Sequence, residues 1–177
     1  MTRPAPEADV FVTLEINGRV IRCVTEARTH LIDFLRDHAS VLGSHVSCEH
    51  GVCGACTVQV DGEIARGCLV LAAQVDGSRI NTVEGLGTSA LLRKLQEAFV
   101  KHNALQCGFC TPGMLLTALE FIERRPSTNR AEIRKAISGN YCRCTGYHSI
   151  VEAIAEVAES RRGPGAIEQA PVERSAS

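Results

Sequence analysis

The chain has 177 residues, 45% of them hydrophobic, and its 19 basic and 20 acidic side chains leave a formal net charge of -1. That balance allows a packed core and gives no electrostatic reason to expect nucleic acid or an anionic membrane surface as a partner. Aromatic residues are only 4% and Trp is absent, which argues against stacking on bases or sugars.

Met1 to Val10 has no apolar centre and does not read as a secretory signal. Nor does any apolar run approach the roughly 20 residues that a membrane span needs. The chain is therefore expected to be cytoplasmic. In that reduced compartment, 9 cysteines point to metal rather than to disulfides.

Along the chain, Val10 to Ile16 alternates as a strand, Asn17-Gly18 signals a hairpin turn, and Arg19 to Val24 returns. Thr29 is expected to cap a short helix through Leu31, Phe34 and Leu35. Cys56 to Val60 reads as a strand, Asp61-Gly62 as a second turn, Glu63 to Leu71 as the partner strand, and Ile80 to Val83 as the last strand. A helix laid over a small mixed sheet makes residues 8–84 an α+β unit of ubiquitin-like, β-grasp type.

From Ser89 the apolar period changes to helical. Leu91, Leu92, Leu95, Ala98 and Phe99 share one face, and Thr111-Pro112 opens a second helix carrying Leu115, Ala118, Leu119 and Ile122. Asn129 with Glu132 resembles a capping box for a third helix through Ile133 and Ile137. Ile150, Val151, Ile154, Val157 and Ala158 mark a fourth. Residues 85–162 are thus expected to form a four-helix bundle. Residues 163–177, rich in Gly, Pro, Ala and Ser, are expected to be a flexible tail.

Eight of the cysteines fall into two groups. Cys48, Cys53, Cys56 and Cys68 open with the C-x₄-C-x₂-C spacing of plant-type [2Fe–2S] proteins, with a fourth thiolate from further along. Gly51 and Gly54 let such a loop wrap a flat anionic cluster and aim backbone N–H groups at its sulfurs. The fourth ligand, Cys68, is expected on the returning strand. In the second group, a C-x₂-C pair, Cys107 and Cys110, meets a C-x-C pair, Cys142 and Cys144. The helix start at Thr111-Pro112 places a partial positive charge beside that site. By spacing alone these four thiolates suit either an iron–sulfur cluster or tetrahedral zinc.

Three strings then carry a family resemblance: Cys48-Glu-His-Gly-Val-Cys53-Gly-Ala-Cys56, Gln106-Cys-Gly-Phe-Cys-Thr-Pro-Gly113 and Gly139-Asn-Tyr-Cys-Arg-Cys-Thr-Gly-Tyr147. With these, the span from Val10 to Arg161 resembles the small iron–sulfur subunit of the xanthine oxidase family of molybdenum hydroxylases. The resemblance implies a plant-ferredoxin-like domain followed by a helical bundle, each holding one [2Fe–2S] cluster. It implies molybdopterin on a large partner subunit and FAD on a medium one, in a dimer of heterotrimers. Electrons would run from molybdenum to the Cys107/Cys110/Cys142/Cys144 cluster, then to the Cys48/Cys53/Cys56/Cys68 cluster, then to FAD. Gln106 matches the family's pterin-bonding residue and Cys144 the ligand nearest the pterin. The substrate site would lie on another chain, where an aldehyde, an N-heterocycle or a related small molecule is hydroxylated. A free-standing two-cluster ferredoxin is the competing reading, and a structural zinc protein a third.

Other residues have plainer readings. Cys23 sits in a strand pattern as a buried, inert thiol. His50 follows Cys48 as half of a Rieske motif would, but Cys56 stands where the second His is required. It is read as a loop residue shielding the cluster. His30, His38, His45, His102 and His148 share no ligand spacing and read as surface or capping residues. Tyr147 is expected to pack, and Arg143 either to offset cluster charge or to meet a partner subunit.

Overall fold

A computed structural model describes residues 9–162. The tail expected at 163–177 lies outside the described residues. In β1 (Asp9–Ile16) alternation turns Val12, Leu14 and Ile16 inward. Asn17 and Gly18 both take positive φ, 50° and 78°, as the tight primed turn into β2 (Arg19–Glu26) requires. Asp61 and Gly62, at 49° and 89°, do the same between β3 (Thr57–Val60) and β4 (Glu63–Arg66). β5 (Arg79–Asn81) completes a five-stranded sheet in the order β2-β1-β5-β3-β4, with only the β1–β5 pair parallel. Helix α1 (Leu31–Ala39) buries Leu31, Ile32, Phe34 and Leu35 in the same core as Leu14, Val58 and Ile80.

Local departures from the sequence reading have identifiable causes. His30, not Thr29, occupies the cap of α1 and makes no side-chain bond there, while the Thr29 hydroxyl accepts from that of Thr25 at 2.9 Å. β4 stops at Arg66 rather than running to Leu71. Gly67 N–H turns back to the Cys56 carbonyl and Leu69 N–H to that of Arg66, so Cys68 stands in a turn. A 3₁₀ turn, Ala72–Val75, follows. The last strand starts and ends earlier than expected, since Thr82 N–H donates to the Asn17 side chain at 2.9 Å and leaves the ladder.

The second half carries α2 (Ala90–Lys101), α3 (Thr111–Arg124), α4 (Arg130–Ala136) and α5 (His148–Arg162). Ser89 caps α2 by accepting from Leu92 N–H, and Pro112 sits in the first turn of α3. Asn129 caps α4, accepting from Ala131 N–H at 2.8 Å. The reciprocal half of a capping box is replaced: Asn129 N–H donates to Ser127 Oγ at 3.1 Å. These helices enclose a second core around Leu92, Leu95, Phe99, Leu119, Ile133 and Ile154. α2 packs on α3 and α5, α4 packs on the same two, and α3 also rests against β3 and β4. Among the described residues no helix is long and apolar enough to cross a membrane.

Candidate metal centres

The first cysteine group lies on a loop closed by His45 N–H donating to the Ala55 carbonyl at 3.2 Å. Gly51 and Gly54 take φ of 82° and 75°. At Gly51 an added Cβ would strike the Leu69 side chain, which is how the loop comes to lie against the turn bearing Cys68. Backbone amides of the loop point at the Cys48 thiol. Cys53 N–H lies 3.4 Å from Cys48 Sγ, and with help from His50 N–H it holds that thiol down to about 6. Cys56 and Cys68 are buried. Burial pushes Cys56 up to about 11, and Cys68 and Cys53 interact with it.

The second group is assembled by helix ends. Cys110 is the cap residue of α3, and Thr111 N–H donating to the Gly108 carbonyl at 3.1 Å folds Cys107 back towards it. Cys142 and Cys144 stand between α4 and α5. The Tyr147 hydroxyl accepts from Cys142 N–H at 2.9 Å, and the Thr145 hydroxyl donates to Cys142 Sγ at 3.1 Å. Cys107 Sγ and Cys144 Sγ are 3.5 Å apart. Burial pushes Cys110 up to about 12, with Cys142 beside it, whereas Phe109 N–H holds Cys107 below the ordinary thiol range. At Cys142 burial works upward, but hydrogen bonds from Thr145 and Cys144 outweigh it and the net direction is down. The Cys107 thiol raises that of Cys144.

Gln106 is exposed, and its Nε2 donates to the Cys144 carbonyl at 3.1 Å. The two positions singled out for pterin contact are thus tied together. A cavity of about 440 Å³ is lined by Cys53 from the first group and by Cys107, Cys110 and Cys142 from the second, with Phe109 and Tyr147.

Each group offers sulfur donors only. In each, donated hydrogen bonds favour some thiolates while burial penalises others, a penalty that a bound cation relieves. The donor set therefore fits an iron–sulfur cluster. Among the described residues no three His, Cys, Asp or Glu side chains are gathered as a site for one metal ion.

Cys23, expected to be buried, is only half-buried on β2, an edge strand of the sheet, and its thiol is raised by desolvation. His50 is exposed beside Cys48, and Arg143 is exposed between Cys142 and Cys144. His102 binds Glu156 at 2.7 Å. His45 needs correction: it is a strut between the halves, with Nδ1 2.8 Å from the Phe109 carbonyl and rings stacked at 4.7 Å. Sequence reasoning also missed Asn140, Thr57 and Arg66, which join the two cysteine loops through a buried network. The available signal was a lone Asn inside the third motif, next to a ligand pair.

Comparison with known proteins accords with this arrangement. A family model described as a 2Fe-2S iron-sulfur cluster binding domain matches residues 9–99, and one described as a [2Fe-2S] binding domain matches residues 82–155. The chain is 51% identical over 156 residues to the nicotine 6-hydroxylase small subunit of Paenarthrobacter nicotinovorans, covering 88% of this chain and 94% of that one. Caffeine dehydrogenase subunit gamma of Pseudomonas sp. strain CBB1 is 52% identical over 149 residues, covering 82% and 89%. The crystal structure of quinoline 2-oxidoreductase from Pseudomonas putida 86 superposes with a TM-score of 0.80 at 47% identity, covering 88% of this chain and 98% of that one.

Proposed function

Because the chain belongs to the small iron–sulfur subunits of the xanthine oxidase family of molybdenum hydroxylases, we propose that it relays electrons from a molybdopterin-bearing large subunit to an FAD-bearing medium subunit. The observation that carries this reading is the pairing of two all-sulfur donor sets across one junction. Tyr141 N–H donates to the Cys53 carbonyl at 2.8 Å, and Tyr141 is bonded directly to Cys142.

Cys48, Cys53, Cys56 and Cys68 hold one [2Fe–2S] cluster, and Cys107, Cys110, Cys142 and Cys144 hold the other. Each cluster supplies a reversible one-electron centre when bound. The exposed end formed by Gln106, Cys107 and Cys144 meets the pterin subunit, with Gln106 as the pterin contact. Separate cores support a division into a ferredoxin-like domain, 8–84, and a bundle domain, 85–162, in which α2–α5 form the four-helix bundle. A dimer of heterotrimers in the cytoplasm is the assembly this reading favours. Relatives named for nicotine, caffeine and quinoline point to an N-heterocyclic substrate, bound on another chain. A free-standing carrier is not favoured, since the relatives are named as subunits.

The test uses the complex of this chain with its partner subunits, reduced by substrate and freeze-quenched for EPR. Cluster signals are expected within one turnover, and Gln106→Ala should slow them without loss of iron. Flavin reduction at full rate with no cluster signal would contradict the relay.

A further inference from the structure

Between the two cysteine groups lies a buried polar junction centred on Asn140, whose exposure is 1%. Its Nδ2 donates to the Gly54 carbonyl at 3.1 Å and reaches Thr57 Oγ1 at 3.4 Å. Its Oδ1 lies 2.9 Å from the Thr117 hydroxyl, whose one proton it shares with the Gly113 carbonyl at 3.0 Å, and is approached by Arg66. Arg66 also donates to Thr57 and to the Gly139 carbonyl. The consecutive residues Gly139, Asn140 and Tyr141 are therefore all bound to the N-terminal half, immediately before Cys142.

The backbones meet with no side chain between them. An added Cβ on Gly54 would collide with the Gly139 carbonyl, and one on Gly113 with the Gly54 carbonyl. Gly54 is next to Cys53, and Gly113 lies in the first turn of α3, behind Cys110. The bonds that join the halves thus sit one to three residues from ligands on both sides. A buried amide with every polar atom engaged is costly to leave half-satisfied, so such a network admits one geometry.

We propose that Asn140 is a positioning residue that fixes the separation and orientation of the two cysteine groups, and with them the coupling between the centres they hold. This rests on the reading that each group holds a [2Fe–2S] cluster. Asn140 touches neither cluster ligand sulfurs nor substrate; it acts through Gly54 and Tyr141.

The test is low-temperature EPR on the full chain reduced with dithionite, with iron and sulfide assayed on the same sample. Magnetic dipoles interact with the inverse cube of distance, so two reduced clusters held in one geometry split each other's lines. Asn140→Asp keeps the shape and the acceptor towards Thr117 but loses the donors to Gly54 and Thr57. Thr117→Val removes the hydroxyl on the other side, and Thr117→Ser restores it. The expected result is parental iron content in all three, a splitting that shrinks or smears in Asn140→Asp and Thr117→Val, and the parental splitting in Thr117→Ser. If Asn140→Asp loses iron, Thr117→Val against Thr117→Ser decides. Parental splitting in both disruptive variants, with both clusters loaded, would overturn the inference. A parent chain holding zinc or a single cluster would instead overturn the functional reading on which it rests.

Discussion

In the N-terminal half, three of the four thiols come from one short loop, Cys48 to Cys56, and backbone conformation places them: two glycines at positive φ and a set of amides turned on sulfur. In the helical half, the pairs Cys107/Cys110 and Cys142/Cys144 stand on either side of α3 and α4 and meet only because those helices share a core. Burial differs too. Cys56 and Cys68 are almost wholly enclosed at 2% and 3% exposure, whereas Cys107 and Cys144 lie at the surface beside exposed Leu105 and Gln106. A site made by one loop is set by local chemistry and can be deeply wrapped. One made by helix ends depends on tertiary packing and is left open at the surface on one side.

The largest way to break this comparison is to remove one ligand from each side. Cys110→Ser should lose the helical cluster and Cys56→Ser the loop cluster, each taking about half of the bound iron. Iron assay and EPR on each variant check this; loss of both signals from either variant would mean the sites are not independent.

A smaller effect separates a glycine that only turns the chain from one that also joins the halves. Gly18 and Gly54 have nearly the same φ, 78° and 75°, but a Cβ at Gly18 meets open space while one at Gly54 meets the Gly139 carbonyl. Gly18→Ala should cost about 1 kcal/mol from backbone strain alone. Gly54→Ala should cost about 3 kcal/mol, since the neighbouring backbone must also move. Thermal unfolding of the loaded protein gives the difference, and equal losses would remove the junction from the account.

The smallest effect concerns acid. Lys101 and then His102 hold the Glu156 carboxyl below its ordinary range, pinning α5 to the end of α2. A carboxylate with a depressed folded pKa stabilises the protein above its unfolded value, about 4.3, and that stability is lost as pH falls through the lower folded value. Glu156→Gln should therefore flatten slightly the acid limb of a stability–pH curve measured by thermal unfolding. An unchanged limb would show that this exposed pair contributes nothing.

Much of the architecture was legible because it depends on near neighbours. Asn17-Gly18 and Asp61-Gly62 are turn pairs whatever surrounds them, and the helical faces of α2 and α5 are written in their period. The cysteine spacings and motif strings likewise identify the family without a structure. What escaped depends on partners outside the element concerned. The cap of α1 falls to His30 while Thr29 meets Thr25 of β2, and Cys68 left its strand when Gly67 bonded back to Cys56. His45 stacks on Phe109 from the other half of the chain. Asn140 reads as an ordinary loop residue until the fold brings Gly54, Thr57, Arg66 and Thr117 around it.

The central claim is that each half holds its own [2Fe–2S] cluster on four thiolates. It is tested most directly by assaying iron, sulfide and zinc on the isolated protein and recording EPR after dithionite reduction of the same sample. The account predicts about four irons and four sulfides per chain, as two such sites require, with two distinguishable signals. One signal accompanied by bound zinc would contradict it, because the helical site would then be structural and the chain could not relay electrons.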